Sequence, residues 1–278
     1  MKLRHPIPRG WSYEQALHHY QVEKRIADRL RNSSSRDERK AIYRTMYDEL
    51  FREVPWHPRL VRRLDERATK GFIERKWTLV REYVDDSTVF AEFGPGDCRF
   101  AFHVATVARQ VYGIDISDQS GPSADHPDNF RLIVYDGFTL DLGDDSIDVV
   151  FSDQLLEHLH PDDMLHHLGL ARRVLKTGGV YVMRTPHACT GPHDVSQLFS
   201  ATPQGFHLKE WTFTELFAAL REAGFRSAIG SLMIRGKLYR VPEWLLTVVE
   251  RPLRPAPPRL RDAIPWRLMS PICIVATK

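Results

Sequence analysis

A glycine turn preceded by an acidic residue is the segment of this sequence best suited to hold a cofactor. It reads Glu92-Phe-Gly-Pro-Gly96 and follows a short apolar run that is typical of a buried strand. Glycines after a strand let the backbone approach a ligand, and the N-terminus of the next helix points at the same place. Glu92 adds a carboxylate that can act on a cationic group. We therefore expect Glu92, Gly94 and Gly96 to contact a cofactor.

A dinucleotide-binding turn is the obvious alternative for this segment. That turn has the pattern Gly-x-Gly-x-x-Gly and needs a third glycine at position 99, where the sequence has Arg99. A dinucleotide also gains nothing from an acid two residues before the first glycine. The sequence therefore favours a cofactor with a cationic amino acid portion and no pyrophosphate.

Three further acids, Asp115, Asp136 and Asp153, stand at the tips of predicted strands. Asp115 ends the second strand, where a carboxylate can accept both hydroxyls of a ribose; capping a turn is its alternative role. Asp136 can accept from an adenine amino group, with backbone amides near Gly137 and Phe138 beside it. Its alternative role is to hold an Asp-Gly turn. Asp153 begins a loop under the expected cofactor position.

Short apolar runs alternate with helical stretches from Thr88 onward, which indicates a parallel sheet covered by helices on both faces. The predicted strands are Thr88–Phe93, Gln110–Ile116, Arg131–Tyr135, Ile147–Ser152, Gly179–Arg184, Phe225–Ile234 and Pro271–Ala276. The predicted helices are Arg99–Ala108, Pro161–Leu175 and Thr212–Ala223. Open sheets of this class bind ligands at the carboxyl ends of their strands, so the acids share one edge.

These motifs, in this order, resemble the class I S-adenosylmethionine (SAM)-dependent methyltransferases, and more closely their bacterial type 11 branch. The matching segments are Glu92–Gly96, Ile114-Asp115, Ser152-Asp153, Leu156–Leu159 and Ala171–Val180. The resemblance implies a Rossmann-like seven-stranded α/β sheet with an antiparallel last strand, SAM as donor and S-adenosylhomocysteine as product. It assigns the cofactor contacts to Glu92, Gly94, Gly96, Asp115, Asp136 and Asp153.

The first 84 residues lie outside this resemblance and have a helical pattern. Helical spacing follows a Ser12 cap, and further helices are predicted over Arg36–Phe51 and Leu60–Val84. We expect an N-terminal helical cap over residues 1–84 and a SAM-binding methyltransferase domain over residues 85–278. Residues 235–270, rich in Pro, Arg and Trp, are expected to form an insertion over one rim.

Two histidines and an acid after the fifth strand are candidates for the acceptor side. A hydroxyl acceptor must lose a proton, and a histidine suits that task. We expect His193 with Asp194, and His207, to act as base or acceptor ligands; turn formation and helix entry are the alternatives. For His158, which follows an apolar Leu-Leu pair, packing and catalysis are the two alternatives. His160, His166 and His167 are expected at surface helix positions.

O-methylation of a sugar, glycan or other small molecule is the expected function. The segments Gly191–Ser196 and Gly205–Trp211 look like those of methyltransferases encoded with bacterial sugar and polysaccharide enzymes. Two alternatives stay open: a nucleic-acid or protein methyltransferase that uses basic N-terminal helices, and a SAM-binding partner subunit without activity. Against nucleic acid, the chain has no dense basic patch interleaved with aromatic residues.

Composition and charge limit the cellular location and the partners that the sequence allows. The net charge is +3, and residues 1–84 hold 20 Lys and Arg against 12 Asp and Glu. The first residues, Met1–Pro6, lack the apolar core of a signal peptide, so we do not expect export. No apolar run approaches the roughly 20 residues that a membrane span needs. Three distant cysteines suit a reducing cytoplasm. No spacing such as His-Glu-x-x-His predicts a metal. We expect a cytoplasmic protein without metal; peripheral membrane contact and a homo-oligomer stay open.

Overall fold

An eight-stranded mixed sheet forms the centre of the molecule in the computed structural model. The structure describes residues 1–63, 65–121, 126–234, 236–253 and 269–278. The strands are β1 (Val89–Phe93), β2 (Gln110–Asp115), β3 (Phe130–Val134), β4 (Ile147–Asp153), β5 (Leu175–Thr185), β6 (Ser227–Ile234), β7 (Lys237–Val241) and β8 (Ile272–Thr277). The helices are α1 (Tyr13–Arg31), α2 (Arg36–Tyr43), α3 (Met46–Glu53), α4 (Pro58–Arg63), α5 (Glu66–Val80), α6 (Arg99–Ala105), α7 (Met164–Val174), α8 (Phe213–Glu222) and α9 (Glu243–Glu250).

Alternate residues of β1 show how the two faces of the sheet are covered. Ala91 and Phe93 pack in one apolar cluster with residues of α7 and α8. Phe90 packs in a second cluster with residues of α5 and α6. Successive side chains of a strand point to opposite faces, so helices cover both sides of the sheet. The predicted α/β class is confirmed.

The strand order is β3-β2-β1-β4-β5-β8-β6-β7. Strands β1 to β5 pair in parallel, and β8 runs antiparallel to β5 and β6. The sheet therefore has eight strands rather than the seven predicted, because β7 adds an antiparallel edge hairpin to β6. Lys237, Tyr239 and Arg240 of β7 are exposed. Edge strands often carry such residues, which hide the apolar alternation of a strand.

The N-terminal helices pack on loops at the carboxyl edge of the sheet. Helix α1 begins with a capping box at Ser12. Its buried residues Ile26 and Leu30 share an apolar cluster with α3 and with Phe138 and Phe206 from those loops. Apolar contacts thus hold α1 and α3 against these loops.

Two N-terminal helices predicted as single elements are each divided. The segment Arg36–Phe51 forms α2 and α3, because the backbone leaves helical geometry at Thr45. The segment Leu60–Val84 forms α4 and α5, because Asp65 starts a new helix by accepting from the N–H of Ala68.

Part of the predicted insertion is regular structure. Residues 236–253 contain β7, α9 and a short 3-10 turn, and residues 254–268 lie outside the described part of the chain. Within the described ranges, no helix combines the length and the apolar character needed to cross a membrane.

Candidate active site

A cavity of about 800 Å³ lies at the carboxyl ends of β1, β2 and β4. Its walls come from the glycine turn after β1, the loops after β2 and β4, the segment 193–207 and helices α1, α3 and α5. This is the sheet edge at which open α/β folds bind ligands. Its volume lies within the range of roughly 300–1,000 Å³ that is typical of small-molecule sites.

The glycine turn leaves space for a ligand beside its backbone. Gly94 and Gly96 have φ angles of +68° and +58°, which strongly favour glycine. The N–H of Gly94 donates to the carbonyl of Ile114 at 2.8 Å and ties the turn to β2. A Cβ on Gly94 would meet the Leu155 side chain at 3.2 Å, whereas a Cβ on Gly96 would enter open space. The turn can therefore cradle a cofactor at Gly96.

Asp115 lies beside this cradle with its carboxylate fixed by backbone amides. Its Oδ2 accepts from Gly96 at 3.1 Å, and its Oδ1 accepts from Ile116 at 2.7 Å and from Ser117 at 3.4 Å. The residue is 7% exposed, and burial raises the pKa of its carboxyl. Each carboxylate oxygen has two lone pairs, so Asp115 retains acceptor capacity toward the cavity that it lines.

Glu92 lies behind the cavity wall rather than in it. It is fully buried, and its Oε1 is 2.8 Å from Nζ of Lys76 on α5. The same Nζ is 3.7 Å from Asp153, to which Arg184 donates at 2.5 and 2.7 Å. Burial raises the pKa of Glu92. Lys76 and Asp153 line the cavity. Glu92 therefore contacts a cavity-lining lysine that the sequence did not indicate.

The carboxylate of Asp136 holds a turn. It accepts from the N–H groups of Phe138 at 2.8 Å and Thr139 at 2.6 Å, and lies 3.0 Å from Nζ of Lys40. Burial alone would raise the pKa of Asp136, but these contacts lower it to about 2. Gly137 and Phe138 are the residues of this motif that line the cavity. The carboxylate of Asp136 holds the turn that positions them.

His207 is the centre of a buried polar group in another wall of the cavity. Its Nδ1 is 2.8 Å from Oε1 of Glu210, and its Nε2 is 4.0 Å from Oε1 of Glu157. Burial lowers the pKa of His207, but the Glu210 hydrogen bond and the charges of Glu157 and Asp194 outweigh burial and raise it to about 8. Burial also raises the pKa of Glu157 to about 7. Carboxylates therefore surround this imidazole.

His193 and Asp194 line the same wall, which we call the histidine wall (His158, His193, Asp194 and His207). The backbone N–H of His193 donates to Oε1 of Glu210 at 2.6 Å. Asp194 accepts from the N–H of Gly205 at 3.0 Å, which holds the loop that carries His207. All three candidate catalytic residues thus lie on the cavity.

His158, for which the sequence left packing and catalysis open, also lines the cavity. Its Nδ1 is 2.9 Å from the carbonyl oxygen of Phe206, and its Nε2 is 3.5 Å from the guanidinium of Arg59. Its ring lies 5.1 Å from that of His207. Burial lowers the pKa of His158 well below the ordinary value, so its ring stays neutral.

The surface positions predicted for two further histidines are wrong. His160 and His167 are buried, whereas His166 is partly exposed. His167 lies on the face of α7 that packs against the sheet, where its Nε2 is 2.8 Å from the Tyr181 hydroxyl.

The N-terminal helices supply a polar group that the sequence analysis missed. Oε1 of Glu23 is 2.7 Å from Nε2 of His19 and 3.7 Å from Nε2 of His57. All three residues are buried and line the cavity. Burial favours a higher pKa for Glu23, but the two histidines lower it. The i,i+4 spacing of His19 and Glu23 was a visible signal, whereas the position of His57 depends on tertiary packing.

Residues 91–183 match a family model described as a methyltransferase domain. A curated protein of Mycolicibacterium smegmatis, described as a probable S-adenosylmethionine-dependent methyltransferase, is 34% identical over 142 residues. This match covers 48% of the chain and 50% of that protein. The chain therefore spans about half the length of the curated relative.

Solved structures share the fold at low sequence identity. A Burkholderia thailandensis 1,6-didemethyltoxoflavin-N1-methyltransferase with bound S-adenosylhomocysteine gives a TM-score of 0.56 at 17% identity, covering 88% of this chain and 91% of that chain. A putative methyltransferase in complex with the Haloferax volcanii Trm112 activator gives a TM-score of 0.53 at 19% identity. That match covers 78% of this chain and 96% of that chain. At these identities the likeness shows the fold. The domain match and the curated relative support an enzyme of the methyltransferase class whose cofactor is S-adenosylmethionine.

Proposed function

We propose that this protein transfers the methyl group of SAM to a hydroxyl group of a sugar, glycan or other small molecule. The observation that carries the proposal is one cavity that joins the glycine turn and Asp115 to the histidine wall. SAM bound at the turn supplies a methyl group on a sulfonium sulfur. A second molecule in the same cavity can be held close to that methyl group and in line with it.

On the cofactor side, Asp115 is proposed to accept the ribose hydroxyls, since its carboxylate is already oriented. Residues 137–138 lie beside the adenine. Lys76 and Asp153 have opposite charges, as do the two ends of the amino acid portion of SAM, and we assign them to it. Glu92 holds Lys76 in place through their 2.8 Å ion pair.

On the acceptor side, the hydroxyl is proposed to lie against the histidine wall. Its oxygen forms a bond to the methyl carbon while the carbon–sulfur bond breaks and leaves its electron pair on sulfur. The hydroxyl proton passes to a side chain of this wall. His207 and Asp194 both line the cavity, and His207 is oriented by Glu210. His193 supports the same loop.

The N-terminal helices are proposed to cap this acceptor end. In that organisation residues 1–84 form the cap, and residues 85–278, which include the insertion predicted near 235–270, form the methyltransferase domain. His19 and Glu23 of α1 and Arg59 of α4 line the cavity. An acceptor would therefore contact both parts.

Several basic residues of these helices are used inside the fold, which supports a small acceptor over a nucleic acid. Arg31 donates to three carbonyls of the segment 204–207. Arg39 donates to both carboxylate oxygens of Asp163. Lys40 pairs with Asp136. The positive surplus of the N-terminal sequence is thus partly neutralised by internal contacts.

Methyl transfer from labelled SAM into an extract of cells that lack this protein tests the proposal. The extract is separated into glycan, small-molecule, RNA, protein and lipid fractions. We expect label in the glycan or small-molecule fraction, and about a 100-fold loss of rate in His207→Ala with SAM affinity intact. His103→Ala, on α6 away from the cavity, is the matched control. Label in RNA or protein would instead favour the polymer alternatives.

A further inference from the structure

We propose that Glu157, His158 and His207 form a binding site for a zinc-type divalent metal ion in the histidine wall. One ligand atom of each residue lies within 4.8 Å of the others. Two imidazoles and one carboxylate, with a fourth position left for water or substrate, form the ligand set of several catalytic zinc sites. No other assignment in this molecule uses these three side chains together.

Both histidine rings are oriented as metal ligands are. Nδ1 of His207 donates to the carboxylate of Glu210 at 2.8 Å, and Nδ1 of His158 donates to the carbonyl of Phe206 at 2.9 Å. Histidines that bind metals almost always donate their second N–H to a carboxylate or a carbonyl. This arrangement leaves the lone pair of each ring on Nε2.

Glu157 supplies an oxygen that lacks a partner. The residue is fully buried; its Oε2 accepts from the Thr185 hydroxyl at 2.9 Å, and its Oε1 has no hydrogen-bond partner in the described part of the chain. That Oε1 lies 4.0 Å from Nε2 of His207. Zinc bonds of about 2.0–2.2 Å bridge such a gap after a small closing movement. A cation here would satisfy an oxygen whose burial otherwise costs free energy.

The charges around the site also suit a divalent cation. Three carboxylates surround His207 and raise its pKa: Glu157, Glu210 and Asp194. Arg59 is the opposing cation, with its guanidinium 3.5 Å from Nε2 of His158. This contact is long for a hydrogen bond, and a metal ion would replace it.

The neighbouring group of His19, Glu23 and His57 is not the proposed site, because both oxygens of its central carboxylate already face N–H donors. The N–H of Arg59 donates to Nδ1 of His57 at 3.2 Å, which leaves the ring hydrogen on Nε2, toward Glu23. Glu23 also accepts from the N–H of Phe206 at 3.2 Å. Each oxygen of Glu23 therefore already accepts at least one hydrogen bond, unlike Oε1 of Glu157.

The role of the ion rests on the proposed function. Because His158 and His207 line the cavity, an open position on the ion would face the acceptor. An acceptor hydroxyl held there would lose its proton more readily, since bound metal ions lower the pKa of coordinated oxygen. The proton would pass to Asp194, and the oxygen would then attack the methyl carbon without any change in the oxidation state of the metal.

Cobalt binding to the chelator-treated full chain tests the site without SAM or acceptor. Co²⁺ is followed by its visible absorption, and the stoichiometry is measured by equilibrium dialysis. We expect one Co²⁺ per chain and at least a tenfold weaker affinity in Glu157→Gln and in His158→Ala. His57→Gln, from the neighbouring group, is the matched control and should keep the wild-type affinity. Thermal unfolding of each variant shows that it is folded.

Wild-type protein that binds no Co²⁺ would overturn the proposal. Unchanged binding in folded Glu157→Gln and His158→Ala would also do so, as would a loss confined to His57→Gln. Absence of methyl transfer does not affect this result, because neither SAM nor acceptor is present. Conversely, a protein that binds no Co²⁺ can still transfer label from SAM, so the two experiments test the metal site and the proposed function separately.

Discussion

Asp115 is the residue whose orientation toward the cofactor is fixed most completely. Three backbone N–H groups hold its carboxylate, and the residue lines the cavity. Asp115→Ala removes charge-assisted hydrogen bonds to the ribose, so SAM affinity should fall at least tenfold, or about 1.4 kcal/mol, by calorimetry. Asp118→Ala, at an exposed position nearby, should keep the wild-type affinity. Equal affinities for the two variants would remove the ribose assignment.

Asp136 should contribute stability rather than affinity. Its pKa is about 2 in the folded chain, below the ordinary 3.8. A carboxyl with a depressed pKa stabilises the fold above about pH 4, and this contribution is lost as the pH falls toward 2. We expect Asp136→Ala to lower the free energy of unfolding at pH 7 by about 1–2 kcal/mol, allowing for partial exposure.

Urea denaturation at pH 7 and at pH 3 measures this effect. The difference between wild type and Asp136→Ala should shrink at the lower pH, whereas the exposed Asp128→Ala should match wild type at both. A full-sized difference at pH 3 would show that the carboxylate charge is not the cause.

Residue types near strand ends were predictable, and their partners were not. The glycine turn and Asp115 follow apolar runs, so the sequence placed them at the sheet edge. Lys76 lies on α5, a different element from the strand that carries Glu92, whose carboxylate it contacts. Tertiary packing brings these two residues together, so the sequence did not indicate that Lys76 pairs with Glu92.

At the scale of elements, burial decides what the sequence could predict. Strand β1 is buried along its whole length, and the apolar run predicted it within one residue. Strand β7 is mostly exposed and was missed. The helical pattern of residues 13–80 was also visible. How those helices dock depends on contacts such as Arg39–Asp163, which periodicity does not encode.

The Arg39–Asp163 pair joins α2 to the turn before α7 and is buried on both sides. Removing Arg39 leaves the buried Asp163 with only the more exposed Arg36, 3.5 Å away, so Arg39→Met should lower the free energy of unfolding by up to about 3–5 kcal/mol. Arg29→Ala breaks a more exposed pair with Glu49 and should cost about 0–1 kcal/mol. Denaturant unfolding compares the two. A small effect of Arg39→Met would show that α2 docks without this pair.

At the scale of the whole molecule, one cavity receives residues from the N-terminal helices, the sheet loops and the segment 193–207. The helices bring His19, Glu23 and Lys76, while the loops bring Asp115 and the histidine wall. Cofactor and acceptor would therefore share an enclosure that neither part forms alone. This arrangement is the central claim of the proposed function.

A crystal structure of the full chain with S-adenosylhomocysteine tests that claim most directly. We predict that the ligand occupies the cavity, with its ribose hydroxyls within hydrogen-bond distance of Asp115 and its sulfur facing the space beside His207. A ligand bound outside the cavity, or with its ribose away from Asp115 and its sulfur turned from the histidine wall, would contradict it.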